Sequence, residues 1–455
     1  MLISEPNLEP VHCPVCDSTE GVAVGQKADT AHPLCHTSCG SCGTVYSSQR
    51  WDDAALMAAY HAEFDEPTAL ALPISEGALP TSDARFQEVA DAWLKGRSTH
   101  AAALAGIQSG DRVLEIGAGC GETLAYQRQM LQIQPLAVEA LESRAKVARA
   151  SRIDTVVSKL TAPEWSFEEL DVVQIFHHLQ RVPNPLALLR RAWESLATGG
   201  RIVVEVPNVY HPYGQLEATF FRPTDLFAFS ESTLGALLQR AGFSIERSVS
   251  SLTLFVVGRK DSPEREVLPF SKDLLLHPEH NALWVSDRLN NYSAMEQTRC
   301  HILQVGPSMD AVHQLVHQLM KPAFSWHVVD VILELVEFFM SHQAVGLACL
   351  VATAASEGPY ETELTERLAR LAHVIRRDGV EAVGLREIRA DGAPSKALLR
   401  ETKRQNALGR PGALHDTSFA SLVEELRRQA DPKVALGAIP GLLGFAPRPL
   451  TVAQA

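Results

Sequence analysis

DRVLEIGAGCGET, from Asp111 to Thr123, is the stretch whose reading decides the fold. Val113, Leu114 and Ile116 form a short apolar run of the kind that becomes a buried strand. Gly117, Ala118, Gly119, Cys120 and Gly121 follow at the point where a helix is expected to begin. Glycine suits that turn because the backbone must reverse tightly and bring main-chain N–H groups against a ligand, which a Cβ would obstruct. A dinucleotide fingerprint, G-x-G-x-x-G, would need a third glycine at the position of Glu122. The pattern that remains is E-x-G-x-G-x-G, from Glu115 to Gly121.

Outward from this loop, strands and helices alternate. Thr123 to Leu131 continues as a helix, and Pro135 to Glu139 reads as a second strand ending in a carboxylate. A carboxylate at the tip of that strand accepts hydrogen bonds from both ribose hydroxyls of an adenosine, although a solvated glutamate is the plainer reading of such a residue alone. Ser143 to Ala150 is a helix, Thr155 to Val157 a third strand and Leu170 to Phe176 a fourth. A helix from Leu186 to Leu196 is expected to stop at Gly199-Gly200, where left-handed backbone is available. Arg201 to Asn208 is the fifth strand and its exit, Glu231 to Ala241 a helix stopped by Gly242, and Phe243 to Glu246 and Leu252 to Gly258 the last strands. The alternation predicts an α/β fold, a Rossmann-like doubly wound seven-stranded sheet with right-handed crossovers.

Four further cysteines explain the N-terminus. Cys13-Pro-Val-Cys16 and Cys39-Gly-Ser-Cys42 are two C-x-x-C knuckles, and Gly43 suits the tight turn beneath a metal. Cys13, Cys16, Cys39 and Cys42 together make a closed structural zinc site. A redox pair is the other reading, but such a pair normally opens a helix in a βαβ unit. Cys35, His32 and His36 lie between the knuckles, read as spare loop residues able to replace one ligand. Trp51 to Phe64 reads as an amphipathic helix, the proline-punctuated residues through Leu79-Pro80 as a linker, and Ser82 or Asp83 as the cap of a helix carrying Phe86, Val89, Ala90, Trp93 and Leu94.

Composition narrows the partners. The 455 residues exceed one comfortable core, and 41 Lys and Arg against 54 Asp and Glu give a net charge of −13. With no long basic run, nucleic acid is a disfavoured partner. The start MLISEPNLEP lacks the marks of a secretory signal, and the most apolar segment, Val328 to Met340, is interrupted by Asp330, Glu334 and Glu337. A cytoplasmic protein without a membrane span is expected.

The glycine motif resembles the first motif of class I S-adenosylmethionine-dependent methyltransferases. VQIFHHLQRVPNPLALLRRAWESLATGGRIVVEVPN, within 173–208, is similar to the region joining the fourth and fifth strands of that class. The order of zinc-binding N-terminus, glycine motif, VEVPN and FSESTLGALLQRAGF resembles the group that includes sugar C-methyltransferases, from about Cys13 to Lys260. The resemblance implies S-adenosylmethionine as cofactor, held by Glu115, Gly117, Ala118, Gly119, Gly121 and Glu139, with Phe176 flanking the adenine or, alternatively, packed in the core. Three departures separate the chain from the sugar enzymes. Leu179-Gln180-Arg181-Val182-Pro183 stands for their L-E-H-V-P, Thr224-Asp225-Leu226 for E-H-L, and Val249-Ser250-Ser251-Leu252 for H-G-G-S.

An acceptor belongs at the carboxyl ends of the strands, beside the loops after the fourth and fifth. Of His177, His178, Tyr210, His211, Tyr213 and Asp225 in those loops, His178 and His211 are the acid/base candidates, because neutral imidazole titrates near physiological pH. A packed or solvated imidazole is the alternative for each. Beyond Lys260, apolar periodicity predicts helices over Ala311–Leu319, Phe324–Met340, Gln343–Ala355, Thr362–Arg377, Lys396–Leu408 and Ser418–Gln429. His313 and His317 stand four apart without a matching carboxylate motif and read as solvated. The expected division is a zinc-binding module and connecting helix at 1–60, a methyltransferase domain at 61–260 and a mostly α-helical C-terminal domain at 261–455. The helical domain is expected to mediate dimerisation or to recognise an acceptor or protein partner. The function expected is methylation of a small-molecule or peptide acceptor in specialised metabolism. The other reading is a non-catalytic scaffold that keeps the cofactor fold and binds a protein partner through the helices.

Overall fold

The computed structural model of the chain describes residues 8–26, 35–64, 84–159, 164–266, 268–275, 277, 280–342 and 344–378. The expected linker, the Ser82 or Asp83 cap, His32 and the helices over Lys396–Leu408 and Ser418–Gln429 lie outside them. The described residues divide into two compact units, one ending at Ser286 and one beginning at Asp287.

The first unit opens with short strands β1 (Leu8–Pro10), β2 (Gly21–Gln26), β3 (Cys35–Cys39), β4 (Val45–Ser47) and β5 (Gln49–Trp51), then helix α1 (Asp53–Phe64). Trp51 therefore ends a strand rather than starting the helix. His36 is a strand residue too, buried, with a ring nitrogen 3.1 Å from Ser47 Oγ and its ring stacked 4.3 Å from Phe221. That corrects its reading as a spare loop residue. HTSC carries none of the apolar alternation that marks a half-buried strand.

Helix α2 (Ala84–Ala105) leads into β6 (Arg112–Ile116), α3 (Glu122–Leu131), β7 (Gln134–Glu139), α4 (Glu142–Ala150), β8 (Asp154–Val157) and β9 (Leu170–Phe176). After β9 come α5 (Pro185–Ser195), β10 (Leu196–Pro207), α6 (Leu216–Thr219), β11 (Phe227–Ala228), α7 (Glu231–Arg240), β12 (Ser244–Ser250) and β13 (Thr253–Arg259). The seven-stranded sheet runs β12-β13-β10-β9-β6-β7-β8. β8, β7, β6, β9 and β10 are parallel, and β13 and β12 add antiparallel at one edge. The sequence anticipates this Rossmann-like sheet. Its strand order reverses between β6 and β9, which opens a crevice at their carboxyl ends.

Local chemistry explains the helix ends. Asn184 Oδ1 accepts the Ala187 N–H at 3.0 Å with Pro185 in the first turn, and Ser230 and Thr233 form a reciprocal capping box for α7. The Gly199-Gly200 pair, by contrast, does not stop α5, which already ends at Ser195. It forms an irregularity in β10, where the register against β9 shifts between Leu196 and Arg201. Gly199, at φ +89°, donates its N–H to Lys260 O, and Gly200 O accepts the Lys260 N–H.

The N-terminal strands do not form a separate body. β11, from the segment after β10, pairs antiparallel with β4, so the smaller sheet runs β11-β4-β3-β2. Cys13, Val15, Cys39, Cys42 and Tyr46 share one apolar core with Ile116, Ile175, Val204 and Phe229.

The second unit is helical: α8 (Ala282–Val305), most of which lies in this unit, α9 (Met309–Leu319), α10 (Ser325–Ser341), α11 (Val345–Ser356) and α12 (Thr362–Asp378). α8 was not anticipated, because polar and apolar residues in NNYSAMEQTR show no single helical face. Its polar residues are instead tied internally. Glu296 accepts from His327 Nε2 at 2.8 Å and from Arg299 Nη2 at 2.6 Å, and Arg299 also pairs with Glu334. His313 and His317 are exposed, in keeping with the solvated reading. Val328, Val331, Ile332 and Phe339 of α10 are core residues, and among the described residues no helix is long and apolar enough to cross a membrane.

Candidate active site

The glycine loop after β6 uses its three glycines differently. Gly117, at φ +75°, is covered by the His178 ring, which occupies the space a Cβ would need. Gly121 is a packing position, since a Cβ there would stand 2.5 Å from Ile153 Cδ1. Gly119, at φ +59°, is the open one: among the described residues only Arg144 Nη1, at 3.5 Å, comes within 4 Å of the Cβ position. Among the described residues, Gly119 is therefore the glycine face of this loop left open to a ligand.

Glu139, at the tip of β7, holds this loop. Its Oε2 accepts the Gly119 N–H at 2.8 Å and its Oε1 the Leu141 N–H at 3.0 Å. Burial pushes its carboxyl up, and the Leu141 and Gly119 N–H groups oppose that shift. The Ala140 N–H opposes it as well, and the two oxygens together keep lone-pair capacity for a hydroxyl donor. Glu115 lies elsewhere. It points into the sheet interior, where Gln174 Nε2 donates to its Oε2 at 3.3 Å, and burial pushes its carboxyl up to about 8. Ala118 is buried, its N–H directed at Val138 O at 3.3 Å. Phe176 is buried in a cluster with Val113, Ala137 and Phe255, its ring 6.5 Å from Phe255.

The two histidines occupy different surroundings. His178 is buried against Gly117, with Tyr60 from α1 set edge-on at 6.4 Å. Burial and the charge of Arg181 push its imidazole down to about 3, so it is neutral at physiological pH. His211 sits in the turn after β10, its backbone N–H donating to Asn208 O at 3.0 Å, and burial pushes it down to about 4. No hydrogen bond or ring contact joins the two among the described residues. His177, at φ +49°, turns the other way and places Nε2 3.3 Å from Glu205 Oε1.

Residues without any spacing signal complete the site. Arg97 of α2 donates to Thr123 Oγ1 at 2.8 Å, lies 4.2 Å over the Trp93 ring and stands 3.9 Å from Glu205. Arg144 Nε donates to Phe64 O at the end of α1. Two departures from the sugar-enzyme pattern prove to be partners: Arg181 Nε donates to Asp225 Oδ1 at 3.0 Å. Arg222 Nε donates to Asp225 Oδ2 at 2.7 Å, and Arg222 Nη1 lies 2.7 Å from Glu63 of α1. Arg181 and Asp225, the residues at two of those departures, therefore belong to one ion-pair group with Arg222 and Glu63.

The four knuckle cysteines converge in the way their spacing requires. Their sulfurs all lie within 4.8 Å of one another, with Cys13 to Cys42 at 3.5 Å and Cys16 to Cys39 at 3.3 Å. Four thiolate donors, three of them buried, fit a tetrahedral Zn²⁺. Gly43, at φ +75°, could not carry a Cβ, which would meet His280 O at 2.5 Å.

Residues 87–248, somewhat over a third of the chain, match a family model described as a methyltransferase domain. The chain carries a class I methyltransferase domain. Its enzyme class is accordingly S-adenosylmethionine-dependent methyl transfer. No curated protein matches the chain. Among solved structures, the methyltransferase domain is similar to a complex of the Haloferax volcanii Trm112 activator with a putative methyltransferase (17% identity, 40% of this chain and 96% of that one, TM-score 0.35). It is also similar to an S-adenosylmethionine-dependent methyltransferase from Mesorhizobium loti (17%, 36% and 99%, 0.33). A third is the CcbJ methyltransferase from Streptomyces caelestis (16%, 37% and 90%, 0.31).

Proposed function

We propose that the protein moves a methyl group from S-adenosylmethionine to a carbon, oxygen or nitrogen of a small-molecule or peptide acceptor in specialised metabolism, and that it works in the cytoplasm. The observation that carries the cofactor's place is the Glu139 clamp on Gly119, which sets a ribose-accepting carboxylate beside the open glycine. In this reading 1–60 is the zinc module held by Cys13, Cys16, Cys39 and Cys42, 61–260 the methyltransferase domain and 261–455 the helical domain. Gly117, Ala118, Gly119 and Gly121 shape the cofactor loop, Glu139 takes the ribose, Glu115 supports the loop from beneath and Phe176 closes the adenine side.

The cofactor supplies an electrophilic methyl group on a sulfonium sulfur. The chain's own residues position the acceptor, exclude water and take a proton where the nucleophile carries one. His178, pressed on Gly117, and His211, in the loop after β10, are the uncharged imidazoles proposed to accept it, each made a weaker base than a free histidine by its burial. The nearby carboxylates are engaged: Asp225 by two arginines, Glu63 by Arg222 and Glu139 by two backbone N–H groups. Incubating the protein and cell extract with an isotope-labelled methyl donor is expected to place label in a small molecule or peptide, detected by mass spectrometry. Label confined to nucleic acid contradicts the proposal.

A further inference from the structure

His177 leads off the carboxyl end of β9, where the crevice opens, in a backbone conformation that costs energy for any residue with a Cβ, φ +49°. Three bonds hold it there. Its N–H donates to Glu205 O at 2.9 Å, and its O accepts from Gln180 Nε2 at 3.1 Å and from Arg181 Nη1 at 2.6 Å. The turn sends neighbouring histidines to opposite sides: His178 faces Gly117 and Tyr60 of α1, and His177 faces α2, its ring 6.0 Å from Trp93.

The two ring nitrogens of His177 differ. Nε2 is enclosed, with Glu205 Oε1 3.3 Å from it. Nδ1 is neither enclosed nor hydrogen-bonded among the described residues. Glu205 is buried in β10. Burial raises its carboxyl, but the charges of His177 and Arg97 outweigh burial and hold it below the ordinary value. The other charged or titrating groups around the pair are Arg97, 3.9 Å from Glu205 Oε2, and His100, both on α2, and Arg181 in the turn after β9. The Arg97 guanidinium lies 4.2 Å over the Trp93 ring and 5.2 Å over Phe176, two buried rings that keep water from this pair. An imidazole that takes a proton becomes a cation, and a carboxylate against its far nitrogen stabilises that cation. His178 has the like charge of Arg181 as its neighbour instead.

We propose that His177 is a further catalytic base of the methyl-transfer site and that Glu205 is its positioning residue. The inference rests on the methyl-transfer reading. The acceptor's nucleophilic atom gives an electron pair to the methyl carbon, the carbon–sulfur bond breaks with its pair left on sulfur as a neutral thioether, and the acceptor's proton passes to His177 Nδ1. Glu205 holds the Nε2–H and balances the imidazolium until water takes the proton. The acceptor therefore carries a proton to lose, as a hydroxyl, an amine or an acidic C–H does.

The test follows the initial rate at which label from isotope-labelled S-adenosylmethionine enters small molecules and peptides of a cell extract, across pH, with the full zinc-containing chain. His177→Asn, whose new side chain tolerates left-handed backbone, is expected to lower the rate at neutral pH about a hundredfold while affinity for S-adenosylhomocysteine is kept. Glu205→Gln is expected to move the acid limb of the pH–rate profile about one unit toward lower pH, because without the carboxylate protonated His177 is the stronger acid. A purely structural role for Glu205 leaves that limb in place. A His177→Asn rate equal to that of the unaltered chain, or an acid limb unmoved by Glu205→Gln, overturns the proposal. An unaltered chain that neither binds S-adenosylhomocysteine nor transfers label overturns the methyl-transfer reading, and this inference with it.

Discussion

Replacing Cys13 and Cys39 together by serine is expected to strip the chain of its metal, about one zinc per molecule in the unaltered protein, and to unfold the N-terminal strands. The effect is large because a tetrathiolate site contributes its binding free energy directly to folding, on the order of 10 kcal/mol in small zinc modules. It also reaches the active site. β11, from the loop after β10, completes the sheet that carries Cys39, and α1 brings Tyr60 to His178 and Phe64 to Arg144. Methyl transfer is therefore expected to fall with the metal. Elemental analysis and circular dichroism of the double variant check this, and zinc retained at the unaltered stoichiometry would contradict the assignment.

The second large effect is expected at Asp225. Burial raises its carboxyl, but the charges and N–H groups of Arg181 and Arg222 outweigh burial and hold it below the ordinary carboxylate value. Truncation by Asp225→Ala leaves two guanidiniums facing each other without their shared counter-charge. A loss of about 3–5 kcal/mol in chemical denaturation is expected, typical of breaking a buried pair from one side. The sign of the pH dependence follows from the depressed folded value. The contribution of Asp225 is fully present above its unfolded value, about 3.9, and is lost as pH falls through the lower folded value. The gap between the two proteins should therefore be full at neutral pH and narrow in acid. A variant as stable as the unaltered chain at pH 7 would show that the pair only occupies space.

Much of the fold was legible because its signals are local. The apolar runs of β6, β9 and β10, the glycine turn and the capping residues of α5 and α7 each specify their own element, and alternation then restricts the topology. The C-x-x-C spacing likewise announced the four-sulfur cluster. What escaped notice depends on partners distant in sequence. Gly199-Gly200 looks like a helix stop until Lys260 is seen pairing with it, and HTSC looks like a loop until β4 and β2 flank it. α8 hides its helical character behind polar residues whose partners, His327 and Glu334, lie on α10.

The site divides the same way. Glu139 was visible from its place at a strand tip, and the contact of His178 with Gly117 gives that histidine a location beside the loop. Arg97 and Tyr60 carry no motif, because helices contribute them through side chains reaching across the fold. Arg181 and Asp225 registered only as two separate departures from a family pattern. Their separation in sequence concealed that each supplies the other's counter-charge.

Calorimetric titration with S-adenosylhomocysteine tests the central claim most directly. The unaltered chain is expected to bind it, Gly119→Arg to lose binding by filling the face proposed for the cofactor, and Glu139→Ala to lose it with the carboxylate proposed to accept the ribose. Absence of binding to the unaltered chain, or binding undiminished in both variants, would contradict the placement of the cofactor against Gly119 and Glu139.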